Sequence, residues 1–531
     1  MSSAALTLDQ DVWVPKFNPW LIAVVVAMAA FMEVLDTSIA NVALPYMAGS
    51  LGASNDQSTW VLTSYLVSNA IILPISGWLA GTLGRKRFFM GCLAIFTVSS
   101  LLCGFAPSLG LLLFFRVLQG AGGGGLQPMA QAILADTFPP HQRGLAFALY
   151  GITAIMAPTI GPTLGGWITF NYSWRWIFFI NIPVGIATWF LVRRFVEDPP
   201  YLAKLKDAGL KLDYIGIALL ALGIGALQVL LDKGQEDDWF GSRFITTLVV
   251  VATVCLISLV IWEWFQKAPI IDVHMFKSFN FASANLMMFT LGICLFSSLV
   301  LMPQFLQTLL GYTSQLAGIA LSAGGLVLLF EMPIMGKLTQ HIQARWLIAF
   351  GWLSLSVAMF YSTQRIDLLI SFRAATSLRI AQVIGLGFLF VPITLVAYIG
   401  ISPEKNNAVA GIVNFMRNMG SSVGTSMVTT LIARRSQFHQ LRLVEHARPD
   451  NPNFQNLANG LAQRLAQSGL SPHEAQMGAF ARIYLDVQAE AASLAYIDTF
   501  MVLAWGAAIM FCLSFVLKKN DPGGGGHVAV E

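Results

Sequence analysis

The sequence predicts an all-α polytopic membrane protein with two six-helix bundles plus two additional transmembrane helices, about 14 spans in all. Three observations support this fold class: an apolar composition, a regular series of apolar segments and an internal repeat. Of the 531 residues, 56% are hydrophobic and 11% are charged. Soluble domains carry about 25% charged residues. We therefore expect lipid, rather than water, to surround most of this chain.

The composition also excludes several classes of protein. The formal net charge of +4 gives no support to nucleic-acid binding. The five cysteines lie within or beside apolar stretches, with neither metal-ligand spacing nor a disulfide framework. Residues 420–424 match a nucleophile-elbow pattern inside an apolar helix, and the glycines of 122–125 lack the lysine of a phosphate loop. We predict no enzyme and no metal or other cofactor, and an ion gradient or the membrane potential as the source of energy.

Each crossing of the hydrocarbon core needs about 20 apolar residues in a helix. Segments that meet this requirement are found at 19–46, 58–80, 87–106, 108–133, 144–169, 174–193, 213–232, 244–265, 281–306, 314–337, 345–362, 375–400, 408–432 and 494–518. They predict an N-terminal tail (1–18), an N-terminal bundle (19–195), a linker with the two extra helices (196–275), a C-terminal bundle (276–518) and a glycine-rich tail (519–531). Residues 433–493 are polar and are predicted as a loop on the outer side with some helix at 456–465.

Basic residues indicate the orientation of these spans. Short cytoplasmic loops of membrane proteins are enriched in lysine and arginine. Basic clusters follow the second span (85–87) and the sixth span (193–194), whereas the loop after the seventh span (232–238) is acidic. The even number of spans then predicts that both termini are cytoplasmic.

The two halves of the chain resemble each other. Pro-Ile-Ser-Gly ends the second span at 74–77, and Pro-Ile-Met-Gly ends the tenth at 333–336. An Arg-x-x-Gln pair opens the fourth span at 116–119 and the twelfth at 379–382. The same order at equivalent positions predicts duplicated six-helix halves with a site at their interface. Spans seven and eight have no counterpart and are interpreted as an insertion.

Charged side chains within the spans are the first candidates for function, because each costs roughly 2.5–3.5 kcal/mol to insert and by default faces the bundle interior. They are Glu33, Asp36, Arg116, Glu331, Arg379 and Arg417.

Glu33 and Asp36 lie three residues apart and share one face of the first span. Burial and a second carboxylate can bring an acid into the range where it exchanges protons near neutral pH. We predict that these acids couple transport to protons, with Arg116, which stays charged, holding one of them ionised. The alternative is a static structural pair between Arg116 and one acid, and a structural role is also open for Glu331.

Polar residues within the spans are the candidates for a substrate cavity. Span four presents a stripe of polar and small residues, and span thirteen presents polar residues on one face. The alternative for such stripes is helix–helix packing, which is favoured for the glycines. The cavity candidates are Asn41, Gln119, Gln127, Glu331, Arg379, Asn414 and Arg417.

Four stretches resemble signatures of the major facilitator superfamily, and within it those of the fourteen-span drug:proton antiporters of the EmrB/QacA type, closest to EmrB. They are residues 35–45 in the first span, 116–120 in the fourth, 157–166 in the fifth and 174–185 in the sixth. The fifth-span stretch is similar to the family's antiporter motif, which implies export, and its motif residues are Pro158, Gly161, Pro162, Gly165 and Gly166. Their small size would allow close packing and a kink where the halves meet. The loop after span two departs from the family, with Gly81 where an aspartate is usual.

The resemblance implies proton-coupled efflux of hydrophobic or amphiphilic drugs or toxic compounds across a bacterial inner membrane, and hence antibiotic resistance. It further implies a tripartite pump, with a periplasmic membrane-fusion adaptor and a TolC-type outer-membrane channel as partners. A gradient-driven nutrient importer or another secondary transporter is the alternative. A channel or a membrane-embedded enzyme is a third, more distant one.

Overall fold

The structure, a computed structural model, describes residues 15–200, 213–266 and 269–518. Most of the predicted N-terminal tail, part of the predicted linker and the predicted glycine-rich tail lie outside these residues. Every regular element within the described ranges is a helix. The predicted all-α fold class is confirmed.

The first six predicted spans form the N-terminal bundle. Its helices are α1 (Pro19–Leu51), α2 (Asn55–Leu83), α3 (Arg85–Phe105), α4 (Leu109–Gly123), α5 (Leu126–Thr137), α6 (Arg143–Asn171), α7 (Trp176–Phe179) and α8 (Asn181–Phe195). The fourth span is divided into α4 and α5 at Gly124, within a run of glycines. A Cβ on Gly124 would lie 2.8 Å from the Asn69 carbonyl oxygen, so the glycine lets this span pack directly on α2.

The two extra helices and the C-terminal bundle follow. They are α9 (Tyr214–Lys233), α10 (Arg243–Phe265), α11 (Phe279–Thr308), α12 (Ser314–Leu338), α13 (Ala344–Arg365), α14 (Phe372–Ala397), α15 (Asn406–Val444), α16 (Pro452–Gln467) and α17 (Pro472–Ser514). Short 3-10 turns lie at Pro140–Gln142, Trp239–Gly241, Val273–Lys277 and Pro403–Lys405. Helix α9 packs on α10, on α2 and on α15, and the Gln228 amide donates a 3.0 Å hydrogen bond to the Ser422 hydroxyl. The inserted pair therefore contacts both bundles.

Thirteen helical segments of the described chain are long and apolar enough to cross a membrane. They match the predicted spans, with α4–α5 and α7–α8 each counted as one segment. The predicted span 408–432 lies within α15, whose polar side chains keep it outside this set. It is nevertheless a continuous helix of 39 residues.

The predicted outer loop at 433–493 is the main correction, because most of it is helical. Helix α15 continues to Val444, α16 contains the helix expected at 456–465, and α17 begins well before its apolar part. Pro452 and Pro472 each occupy the first turn of a helix, where the missing N–H has no intrahelical partner to lose. Ser471 caps α17 together with Glu474. Polar composition and prolines here mark helices in water rather than a loop.

The two bundles meet mainly along two helix pairs, α6 with α12 and α2 with α15, and also where α5 packs on α15 and α6 packs on α14. At the end where Arg85 and Arg143 begin their helices, which we call the basic end, backbones approach closely. A Cβ on Gly77 of α2 would lie 2.8 Å from the Ala408 Cα of α15, and a Cβ on Gly336 of α12 would lie 2.8 Å from the Leu145 Cα of α6. Glycine is therefore required for the halves to close at the basic end.

We expect Gly77→Ala to lower the melting temperature of the purified protein by a few degrees. The added methyl group must push α15 away, and such overpacking costs about 1–3 kcal/mol. Gly81→Ala on the same helix is the matched control, because a Cβ there meets no atom within 4 Å. Equal melting of the two variants would show that α2 and α15 do not touch at Gly77.

Candidate functional site

The two acids of α1 are buried inside the N-terminal bundle, with Glu33 3% exposed and Asp36 2% exposed. They share one side of α1, as predicted from their spacing. Their hydrogen-bond and ion-pair partners are different, which indicates that the two acids have different roles.

Asp36 lies in a buried ion-pair site. Its Oδ2 is 2.6 Å from Arg116 Nη1, and its Oδ1 accepts hydrogen bonds from the amides of Gln119 at 2.9 Å and Asn181 at 2.6 Å. Arg116 Nε also donates to the Val61 carbonyl at 3.1 Å. A buried carboxylate with a guanidinium and two amide donors is well matched to its ionised form.

The Arg116 guanidinium also lies over an aromatic ring, 4.3 Å from the centre of Tyr65. Asn181, the first residue of α8, donates to Ser100 of α3 as well as to Asp36. The ion pair and its hydrogen-bond partners thus join five helices of the bundle, α1, α2, α3, α4 and α8. The sequence indicated Arg116 and Gln119 but not Asn181, although that residue lies in the sixth-span stretch that resembles the family.

Glu33 has hydrogen-bond partners of another kind. Its Oε1 accepts from the Tyr65 hydroxyl at 3.0 Å and from the Asn69 amide at 3.0 Å. Its Oε2 accepts from the Gln127 amide of α5. All three donors are uncharged. Glu33 is therefore the less compensated acid of the pair.

Gln127 connects Glu33 to the C-terminal bundle. Its Oε1 accepts a hydrogen bond from Arg417 Nη2 of α15 and lies 3.3 Å from the Tyr150 hydroxyl. Tyr150 donates at 2.8 Å to Asn414 of α15. Asn414 in turn donates to Gln131 of α5. The predicted candidates Gln127, Asn414 and Arg417 are thus brought together with Glu33 between the halves.

The C-terminal bundle repeats the arginine and the glutamine of the ion-pair site but not its acid. Arg379 Nη1 donates to the Ser298 hydroxyl at 2.8 Å, where its counterpart Arg116 meets a carboxylate. Gln382 donates to the Ser362 hydroxyl at 3.0 Å. Arg379 is 1% exposed, so the second half buries a guanidinium beside a neutral group.

Glu331 and Asn41 lie apart from the Glu33 network. The Glu331 side chain of α12 lies against Gly387 of α14, and neither of its oxygens has a hydrogen-bond partner among the described residues. Asn41 is exposed near the far end of α1. The structure does not bring these two candidates into contact with the acids of α1.

The antiporter motif packs mainly within the N-terminal bundle, which corrects the expectation that its glycines lie where the halves meet. Ser38 of α1 donates a 3.1 Å hydrogen bond to the carbonyl of Pro158. Gly161 packs on Ser38 and Gly165 on Ile39, while Gly166 and Pro162 continue the same helix. These small residues hold α6 against the helix that carries both acids.

The opposite side of the motif faces the C-terminal bundle through threonines. Thr159 of α6 packs on Gly325 of α12, and Thr163 packs on Gly318. The close approach of α6 and α12 therefore depends on glycines of α12 rather than on the glycines of the antiporter motif.

A second charged site joins the halves at the basic end. Arg85 Nη1 of α3 is 2.5 Å from Asp136 Oδ2 of α5, and the Asn406 amide of α15 donates to Asp136 Oδ1 at 2.5 Å. Asp136 was missed because it follows the predicted end of span four. Within the ranges that the structure describes, no group of three or more His, Cys, Asp or Glu is arranged to hold a metal ion.

Comparisons with known proteins support the fold and the kind of transporter. The family described as Major Facilitator Superfamily matches residues 26–425. The chain is 38% identical to the multidrug export protein EmrB of Escherichia coli K12, over 83% of this chain and 85% of that protein. It is also 38% identical to the fatty acid resistance protein FarB of Neisseria gonorrhoeae, over 83% and 86%.

Solved structures at 13% identity support the fold alone. The proton:xylose symporter XylE has a TM-score of 0.61, covering 94% of this chain and 96% of that one. The human organic anion transporter MFSD10 has a TM-score of 0.57, covering 93% and 100%.

Proposed function

Because the chain belongs to the Major Facilitator Superfamily, among its EmrB-type drug transporters, we propose that it exports hydrophobic or amphiphilic compounds in exchange for protons. One observation carries the proton part of this proposal. Glu33 is a buried acid of the N-terminal bundle that is hydrogen-bonded by neutral groups, one of which also contacts the C-terminal bundle. The multidrug and fatty-acid resistance functions named for its relatives support the substrate class.

Glu33 is the proposed proton carrier, and Asp36 with Arg116 is proposed to keep it in place. A charged group without a counter-charge is costly in a low-dielectric interior, so Glu33 gains by binding a proton when it is cut off from water. Asp36 already has a counter-charge, the Arg116 guanidinium at 2.6 Å. Both acids are on one turn of α1, so the pair fixes the rotation of the helix that presents Glu33.

The proton gradient provides sufficient energy for export against a concentration difference. One pH unit supplies about 1.4 kcal/mol per proton, and 100 mV supplies about 2.3 kcal/mol per charge. Transporters of this plan expose a central site alternately by moving one half against the other. The contacts at the basic end, on the side proposed to be cytoplasmic, support assigning this structure to a conformation closed toward the cytoplasm.

We place the protein in the bacterial inner membrane with both termini in the cytoplasm, on the support of the basic clusters at one end. The helical region beyond residue 433 would then lie in the periplasm. A membrane-fusion adaptor and a TolC-type outer-membrane channel are the partners we propose there, in a tripartite pump that contributes to antibiotic resistance.

Reconstituted liposomes that contain a pH dye test this function. We expect hydrophobic cations or long-chain fatty acids to move against the proton flux, and we expect an ionophore that collapses the pH gradient to stop their accumulation. An importer that uses the same gradient would move substrate and protons in the same direction. Substrate flux in the same direction as the protons, or substrate flux that does not depend on the pH gradient, would rule out the proposed antiport.

A further inference from the structure

One buried amide connects the proposed proton site to the other half of the protein. Gln127 of α5 contacts Glu33 of α1 through its nitrogen and Arg417 of α15 through its oxygen. The other two donors to Glu33, Tyr65 and Asn69, both belong to α2 of the same half. Of the three donors, Gln127 is therefore the one that is also hydrogen-bonded to the C-terminal bundle.

The orientation of this amide depends on the charge of its neighbours. A glutamine side chain donates at one end and accepts at the other, whereas an arginine only donates. An ionised Glu33 only accepts, so it matches the amide nitrogen and leaves the amide oxygen for Arg417. The observed arrangement thus satisfies a carboxylate and a guanidinium through a single group.

We propose that Gln127 is a positioning residue that transmits the protonation of Glu33 to the C-terminal half; this rests on the proposed role of Glu33 as the proton carrier. When Glu33 binds a proton from water, its O–H becomes a donor and requires an acceptor. Rotation of the amide about its last side-chain bond supplies the oxygen. The amide nitrogen then faces Arg417, two donors oppose each other, and the hydrogen bond between Gln127 of α5 and Arg417 of α15 is lost.

The other charged and titratable groups around Glu33 do not replace Gln127 as the connection between Glu33 and the C-terminal half. On α1 itself, Asp36 is paired with Arg116 of α4. Tyr65 of α2 contacts Glu33 but stays within the N-terminal half. Tyr150 of α6 donates to Asn414 and can also accept from a rotated amide. Arg417 is the charged group facing Glu33 from the other half, and it does so through Gln127.

The test measures how pH changes the separation of the halves in the full-length protein. Spin labels at the exposed positions Arg87 and Glu404 report the distance between the bundles at the basic end. We expect a pH-dependent shift of this distance in the wild type. Gln127→Met, which can neither donate nor accept strongly, should remove most of that shift.

Two further variants make the test specific. Gln127→Glu should also remove the shift but favour the short distance, because a carboxylate pairs directly with Arg417. Gln131→Met loses the hydrogen bond from Asn414 without touching Glu33, and it should keep the wild-type shift. If Gln127→Met does not fold, the distance measured in Gln127→Glu shows whether Gln127 transmits the protonation of Glu33.

The outcomes separate this inference from the proposed function. If Glu33→Gln removes the pH-dependent shift and both Gln127 variants keep it, Gln127 is not the relay. If Glu33→Gln itself keeps the shift, the proton site has been placed wrongly and the relay fails with it. Loss of the shift in the Gln131→Met control would show that any broken contact between α5 and α15 has the same effect, which also overturns the inference.

Discussion

Glu33→Gln is expected to abolish proton-driven accumulation while the protein stays folded in the membrane. The amide has the size of the acid and can still accept hydrogen bonds from Tyr65 and Asn69, but it cannot exchange a proton. At one pH unit and one proton per cycle, the variant should lose the roughly tenfold accumulation that the gradient supports. Substrate uptake into inverted vesicles at a fixed pH gradient measures this loss.

A matched acid controls for the removal of a buried carboxyl group. Glu263 of α10, in the inserted pair of helices, is also buried, but it accepts a hydrogen bond from the backbone N–H of Ile270, which follows that helix, away from Glu33. Glu263→Gln should accumulate substrate as the wild type does. Full accumulation of substrate by Glu33→Gln would show that another acid carries the proton, and Glu331 would be the next residue to examine.

Arg116→Met is expected to have the largest effect on stability. It leaves the Asp36 carboxylate without its guanidinium in a site where both side chains are almost completely buried. Breaking such a pair from one side costs about 3–5 kcal/mol, so we expect little folded protein in the membrane. The yield of monodisperse protein after detergent extraction is the measurement.

The double variant Arg116→Met with Asp36→Asn tests whether the charge itself causes that loss. Removing both charges should restore much of the yield, because no uncompensated ion remains. A double variant as poor as Arg116→Met would attribute the loss to packing and to the contact with Tyr65. Coupled transport by a restored double variant would identify Asp36 and Arg116 as a static pair, whereas a folded double variant without coupling would support their place in proton exchange.

The membrane architecture could be predicted from the sequence because hydrophobic length is a local property. Apolar segments of the required length recur along the chain, and the structure has helices at all of the predicted spans. The acids of α1 were also recognisable, because few ionisable residues interrupt these segments.

The sequence could not predict which of the two acids pairs with Arg116 and which is hydrogen-bonded by neutral groups. Glu33 and Asp36 are one turn apart, and either could have faced Arg116 from a distance of about 80 positions in sequence. A small rotation of α1 decides which acid does so, and the packing of α1 on the antiporter motif of α6 holds that rotation together with the ion pair itself. Gln127 and Arg417 are 290 positions apart, so their contact depends on how the two bundles dock.

The outer region was predicted wrongly for a related reason. The spans were identified by continuous apolarity, which is the rule for lipid-facing helices. Beyond the membrane, helices need only one apolar side, so the polar parts of α15 and α17 were predicted as loop, and only 456–465, within α16, was predicted as helix. Two prolines of this region, Pro452 and Pro472, lie at the starts of α16 and α17.

Helices α15 and α17 have 39 and 43 residues, which at 1.5 Å per residue makes them about 58 and 64 Å long. The hydrocarbon core is only about 30 Å thick, so each helix is about twice as long as one crossing requires. If the C-terminal half tilts during transport, the far ends of α15 and α17 will be displaced in proportion to the length of these helices. A partner protein bound to those ends would therefore be displaced in each transport cycle without contacting the substrate or the proton.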